Sequence, residues 1–170
     1  MAAYRLKQQL VNNMSEQTSQ SERDEFREYC QRWLEENRPP PTKIPLPQNA
    51  YEVTFHDHRT YLCDWQAKCY EAQLIGTDVP QDYGGHGHTE FQAIASAEVR
   101  KANVPYFINW IGLGMTAPTL LIHGTEEQKK RFLPPIFSAE EIWCQGFSEP
   151  GAGSDLVSLQ TSAIKDGDNW

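Results

Sequence analysis

Apolar residues recur at helical spacing over most of the chain, and the spacing changes near its end. Phe26, Tyr29, Cys30, Trp33 and Leu34 fall on one face of a 3.6-residue repeat, and Ser21 ahead of Glu22, Asp24 and Glu25 supplies a helix start. Leu62, Trp65, Cys69 and Leu74 predict a second helix over 61–72, closed by the turn-forming Gly76-Thr77-Asp78. Phe91, Ile94, Ala95, Ala97 and Val99 predict a third, opening at Thr89. A fourth, over 105–123, is apolar nearly all round, which implies burial, and is interrupted by Gly112, Gly114 and Pro118. Gly124 stops it, and Thr125-Glu126-Glu127-Gln128 reads as a capping box that opens a short basic helix through Phe132.

Pro39, Pro40, Pro41, Pro45 and Pro47 deny helix and central strand alike, so an extended connector runs from the first helix to about Ala50. After Pro134-Pro135 the pattern turns to strands over 142–147 and 159–164. Lys165-Asp166-Gly167-Asp168 is a hairpin turn signal, and Asn169 and Trp170 begin the returning strand. Two residues can neither pair a strand's backbone nor bury a face, so more chain is expected beyond Trp170. The expected fold class is mainly α. A loosely held arm covers 1–20, a helical domain 21–138, and the opening of an incomplete β domain 139–170.

Composition narrows the function classes. The 170 residues carry a net charge of -8, with 23 acidic against 15 basic side chains, a balance that repels nucleic acid and anionic membrane surfaces. No apolar run has the eighteen or so residues a membrane span needs. Cys30, Cys63, Cys69 and Cys144 form no Cys-x-x-Cys pair or dense framework, which favours free thiols and a cytoplasmic location. Met1 to Met14 holds Arg5 and Lys7 but no acid, a faint presequence pattern that leaves the mitochondrial matrix as the alternative.

The chemistry concentrates in Cys144-Gln145-Gly146-Phe147-Ser148-Glu149-Pro150-Gly151-Ala152-Gly153-Ser154-Asp155. Three glycines let main-chain N–H groups approach an anionic cofactor closely, and the serine hydroxyls add rotatable donors. By themselves these residues indicate a small, polar loop near an anion. A dinucleotide fingerprint is excluded because Leu156 stands where its third glycine would fall, and a phosphate loop because no Gly-Lys-Ser/Thr ending follows.

Gly146 to Ser158 resembles the acyl-CoA dehydrogenase signature: small, apolar, Ser/Thr, Glu, two residues, small, Gly, Ser/Thr, Asp. Phe147 departs from it, an aliphatic residue being usual there. The resemblance extends upstream through Val79-Pro80-Gln81-Asp82-Tyr83-Gly84-Gly85, Gly112-Leu113-Gly114 with Pro118, and His123 to Pro134, and covers the chain from about Ser21 onward. It implies an N-terminal helical domain, a middle β-barrel cut short here, and FAD held between domains, usually across a homo-oligomeric dimer or tetramer. Gln145, Gly146, Phe147, Ser148, Glu149, Pro150, Gly151, Ala152, Gly153 and Ser154 correspond to the stretch that contacts FAD. Ser148 would bond the flavin, and Ser154 would lie where cofactor and acyl-CoA thioester meet.

The implied reaction is α,β-dehydrogenation of an acyl-CoA to the trans-2-enoyl-CoA, with electron-transfer flavoprotein as a partner. Its general base, a glutamate, belongs to a later domain, so no catalytic residue is expected in this chain, which alone would be inactive. An acyl-CoA oxidase or flavin monooxygenase of the same fold, and a non-catalytic helical interaction module, are the alternatives. Glu149 reads as a residue that orients backbone. His56, His58, His86 and His88 lack further ligands at metal spacing and read as solvent or loop histidines. Trp110, Leu113, Met115 and Thr116 line an acyl pocket by resemblance or are simply core. Lys129, Lys130 and Arg131 suit either a CoA phosphate or a solvated helix face.

Overall fold

The computed structural model describes residues 19–88, 90–146 and 148–168. Most of the arm expected over 1–20, the presequence reading of Met1 to Met14, Thr89, Phe147 and the returning strand at Asn169 and Trp170 lie outside the described residues.

Among the described residues five α-helices carry the fold: α1 (Gln20–Glu36), α2 (His56–Glu71), α3 (Phe91–Lys101), α4 (Ala117–His123) and α5 (Glu126–Ser138). Helix α1 opens one residue earlier than its apolar face suggests, on a capping box in which Ser19 and Glu22 satisfy each other's backbone N–H. It packs on α3, with Phe26 and Phe91 stacked at 4.4 Å between ring centroids. Gln31, Lys101 and Arg27 surround the buried Glu98 carboxylate there.

Helix α2 starts at His56, five residues ahead of the expected Tyr61. Its first turn is anchored by His58, which is buried and donates Nε2–H to the Ile44 carbonyl at 3.0 Å. His58 is therefore no surface histidine. The same turn fastens the proline connector, since Tyr61 donates its hydroxyl to the Pro40 carbonyl. One core gathers Leu34 of α1, Trp65 and Cys69 of α2, Ala95 of α3 and Leu133, Ile136 and Phe137 of α5. Burial pushes the Cys30 thiol up to about 12 and raises Cys69 as well, and all four cysteines are free.

The apolar stretch expected as one helix over 105–123 begins at Trp110 and is divided. Gly112–Thr116 is a π-helical turn, and α4 follows without a break. Pro118 has no N–H for the carbonyl four residues back, and the turn before it opens so that the Ala117 N–H bonds the Gly112 carbonyl instead.

The capping box at Thr125 forms as the sequence implies, its hydroxyl accepting from the Gln128 N–H while the Gln128 side chain accepts from the Thr125 N–H. Helix α5 then passes through Pro134-Pro135 to Ser138, beyond the expected end at Phe132. Burial of Leu133, Ile136 and Phe137 outweighs the lost backbone donors, and amide side chains from elsewhere satisfy its last carbonyls.

No sheet forms among the described residues. The segments expected as strands, 142–147 and 159–164, are irregular or extended, with an isolated bridge between Glu149 and Ala152 as the pairing near them. A strand is stabilised by a neighbour, and no described segment lies alongside to complete a ladder. The turn at 166–168 does form, with Gly167 at φ 62°.

Candidate functional site

The glycine-rich segment leaves the helical body at a buried polar junction. Asn109 and Gln66 are both fully buried, and between them their side chains bond the Ile136, Phe137 and Glu141 carbonyls and the Trp143 N–H at the exit from α5. Gln66 donates to the Ile136 and Phe137 carbonyls, each at 3.1 Å, and accepts from the Asn109 N–H at 3.1 Å. The Asn109 side chain donates to the Ile136 carbonyl at 3.0 Å and the Glu141 carbonyl at 2.8 Å, and accepts from the Trp143 N–H at 2.9 Å. Two amides thus fix the direction in which residues 141–143 run toward Cys144.

Gly112 is required by this junction. A Cβ there would sit 2.4 Å from Asn109 Oδ1, inside any tolerable contact. The π-turn and the glycine-rich segment are consequently held against each other through one side chain. Sequence reasoning missed both Asn109 and Gln66. The available signal was Asn109 as a lone polar residue amid Phe107, Ile108, Trp110 and Ile111.

Three cavities lie along the stretch 106–121 that contains the π-turn. The first, about 510 Å³, is lined by Tyr51, Trp110, Ile111, Trp143 and Gln145, with Arg59 among them. A second groove, of about 470 Å³, runs from Met115 and Leu120 to Trp143, Cys144 and Gly146. The third, of about 570 Å³, is mostly apolar, walled by Trp110, Leu113, Gly114, Leu121 and Phe137, with Asp78, Gln92 and Ser96 also in its lining. The four residues assigned by resemblance to an acyl pocket are therefore split: Trp110 and Leu113 line the third cavity, Met115 and Thr116 the second groove.

Of the ten residues assigned to the cofactor, Gln145 and Gly146 line these cavities; Ser148 to Ser154 lie further out, mostly exposed, and Phe147 is outside the described residues. Gly146, Gly151 and Gly153 face open space, with no heavy atom within 4 Å of where a Cβ would stand. Ser148 and Ser154 hydroxyls make no hydrogen bond to another described residue. This stretch thus offers uncovered backbone and two unspent hydroxyls, the donor set an anionic, ring-bearing cofactor uses.

Ala152, 1% exposed, pins the middle of the bend, and Glu149 braces it. The Glu149 carboxylate accepts from the Gln160 N–H at 2.8 Å, the Thr161 N–H at 2.7 Å and the Thr161 hydroxyl. The Thr161 hydroxyl first, then the two N–H groups, hold its pKa below the ordinary carboxylate range. An ionised carboxylate spent on backbone is a brace, as its setting beside a turn implies.

The remaining candidates are accounted for by structure. His86 Nε2 donates to the Tyr70 carbonyl at 3.1 Å, and burial lowers its pKa. No group of three metal-ligating side chains occurs among the described residues. Lys129 lies 3.4 Å from Glu126 and over the Tyr83 ring, and Arg131 2.6 Å from Glu141, so two of the three basic residues of α5 already have acidic partners. Arg59, exposed, forms no ion pair with a described residue; its neighbour is the Cys63 thiol, raised by burial and lowered by the guanidinium. No described helix is long and apolar enough to cross a membrane.

Comparison with known proteins agrees with this architecture. The family model of the acyl-CoA dehydrogenase N-terminal domain matches residues 20–140. The acyl-CoA dehydrogenase IpdE1 of Mycobacterium tuberculosis is 36% identical over 152 residues, which is 86% of this chain and 38% of that protein. The mitochondrial isobutyryl-CoA dehydrogenase of Dictyostelium discoideum is 41% identical over 113 residues, 63% of this chain and 26% of that protein. Among solved structures, the ChsE4-ChsE5 complex of M. tuberculosis superposes with a TM-score of 0.57 at 27% identity, covering 89% of this chain and 36% of that one. The Tcur3481-Tcur3483 steroid ACAD variant gives a TM-score of 0.60 at 27% identity, over 88% and 38% of the two chains. The chain spans less than two fifths of the length of each of these relatives. On the match over 20–140 and the helical order it follows, the chain belongs to the acyl-CoA dehydrogenase family and corresponds to its N-terminal domain.

Proposed function

We propose that this chain supplies one wall of the cofactor and acyl-thioester site of an FAD-dependent acyl-CoA dehydrogenase, with the opening of the middle β domain at 139–170. One observation carries the reading: Asn109 holds the Trp143 N–H, and the residues that follow, Cys144 to Gly146, line cavities shared with Trp110, Ile111 and Met115 of the helical body. FAD, when bound, supplies the acceptor for the substrate's β-hydride. Gln145 to Ser154 would hold it, the open glycines admitting close approach and Ser148 and Ser154 giving hydroxyl donors. The apolar walls built by Trp110, Ile111 and Trp143 would exclude water and receive the acyl chain.

No described carboxylate lines either cavity beside Gln145 and Gly146. Glu149, the one acid in the motif facing the bend, is bonded to Gln160 and Thr161. The proton acceptor is accordingly assigned to another part of the parent enzyme, and this chain contributes binding and orientation. The relative solved as the ChsE4-ChsE5 complex supports an oligomeric parent, and the family resemblance alone supplies electron-transfer flavoprotein as the proposed oxidant.

Titration of the chain with FAD, read by quenching of flavin and tryptophan fluorescence, tests the proposal. Weak, saturable quenching that is reduced in Gly153→Val is expected, because the bulky side chain occupies the space over the bend. Absence of saturable quenching by FAD or by any acyl-CoA would overturn it.

A further inference from the structure

The first cavity has a composition that a plain hydrocarbon does not call for. Tyr51, Val53, Ile108, Trp110, Ile142 and Trp143 make it aromatic and aliphatic, yet Arg59 stands among them as the only charged lining residue. Tyr51 and Trp110 meet edge to face at 5.1 Å and remain 69% and 42% exposed, a rigid apolar wall with nothing described covering it. Elsewhere in this acidic chain the guanidinium groups of Arg23, Arg27 and Arg131 meet carboxylates, and Arg38 meets the Ala102 carbonyl. Arg59, like the exposed Arg32 and Arg100, meets no carboxylate among the described residues, but it alone of the three lines this cavity, and Gln145 in the same lining also has no described hydrogen-bond partner. A guanidinium at the rim of an apolar chamber selects a ligand that is hydrocarbon along its length and carries one anionic, two-oxygen end.

We propose that this cavity receives an acyl group ending in a free carboxylate, and that Arg59 is the residue that selects it. The inference rests on the acyl-thioester reading and specifies its substrate class: the thioester of a dicarboxylic or carboxylate-bearing alicyclic acid. Coenzyme phosphates are a poorer match, because one guanidinium in an otherwise uncharged lining cannot neutralise a pyrophosphate. A carboxylate needs only one bidentate partner and an amide donor such as Gln145.

The test compares adipoyl-CoA, hexanoyl-CoA and free CoA by tryptophan fluorescence, since Trp110 and Trp143 line the cavity, in the wild-type chain, Arg59→Gln and Arg59→Lys. Arg59 is exposed, so both variants should keep the wild-type far-UV circular dichroism. Wild type should bind adipoyl-CoA about tenfold more tightly than hexanoyl-CoA, a margin that narrows with salt because the group is solvent-screened. Arg59→Gln should abolish the margin by weakening adipoyl-CoA much more than hexanoyl-CoA, and Arg59→Lys should retain part of it. Equal affinities in the wild type would overturn the inference and leave the acyl-thioester reading standing, as would a margin that survives Arg59→Gln. Equal weakening of all three ligands by Arg59→Gln would assign the residue to coenzyme phosphate and overturn it too. No response to either thioester would remove the underlying reading and the inference together.

Discussion

Leu34, Leu62, Trp65 and Leu133 in the helical body are 1% exposed or less, whereas Val157 and Ile164 in the carboxyl-terminal segment are 94% and 80% exposed. The two regions also satisfy their backbones differently. The body uses helix ladders, two capping boxes and the buried amides of Gln66 and Asn109, all closed within itself. Among its described residues the segment from Cys144 onward has the Glu149–Ala152 bridge, a short turn of helix at Leu156–Ser158, the turn at 166–168 and the Glu149 brace. A body closed in this way sets the position of a site, and an open segment leaves surface for cofactor, substrate and neighbouring polypeptide to cover. Asn109 belongs to both regions, and its removal is the direct way to separate them.

The largest effect is expected at the centre of the body. Leu133→Ala leaves a void where α5 packs on α2 and should cost about 2–5 kcal/mol in urea unfolding. Amide exchange at Trp143 should rise only in step with global opening. Asn109→Leu should cost somewhat less, about 2–3 kcal/mol, by stranding the Trp143 N–H and the Glu141 carbonyl. Its signature is different: the Trp143 amide should exchange by local opening, faster than Leu133 or Ile136. Gly112→Ala should reproduce that signature from the other side, since its methyl group displaces Asn109. Equal protection of Trp143 and Leu133 in Asn109→Leu would show that the junction is not what holds the segment.

Smaller changes sharpen the contrast. Thr125→Ala removes the N-cap of α5 and should cost about 1 kcal/mol. Val157→Ser, on a side chain 94% exposed, should leave the unfolding midpoint within about 0.5 kcal/mol of wild type and lower binding of a hydrophobic dye. A stability loss comparable to that of Thr125→Ala would mean that Val157 is packed in solution.

The helical body was legible because its signals are local. Cys30, Leu34, Trp65 and Cys69 repeat at helical spacing and are buried, and Thr125 with Gln128 forms the box their spacing specifies. The failures lie where a distant residue decides. The alternation at 142–147 reads as a strand, but the Trp143 N–H goes to a side chain 34 positions earlier. Pro134-Pro135 reads as a helix end, but Gln66, 70 positions away, reaches the Ile136 carbonyl and favours continuation. The glycine-rich motif was legible as chemistry, since small residues and hydroxyls are a property of composition. Its partners were not: Arg59 sits on an exposed turn of α2 with no sequence pattern tying it to Trp110 or Trp143.

The smallest global effect, and the most local, belongs to Glu149. Its carboxylate is held below the ordinary range by the Thr161 hydroxyl and the N–H groups of Gln160 and Thr161. A group whose folded pKa is depressed contributes its stabilisation above the unfolded carboxylate value, near 4.3, and loses it as pH falls through the lower folded value. The amide proton shifts of Gln160 and Thr161 should therefore be constant near neutrality and move together only below that range. Glu149→Gln keeps one acceptor oxygen and replaces the other with a donor, so the acid step in these two amides should vanish and one of the backbone bonds should be lost. Helical circular dichroism should follow the same acid profile in variant and wild type, because the body's own carboxylates, Glu22 and Glu98 among them, are untouched. A shift of the helical transition in Glu149→Gln would show that the brace supports the body as well as the bend, and the two regions would then have to be treated as one cooperative unit.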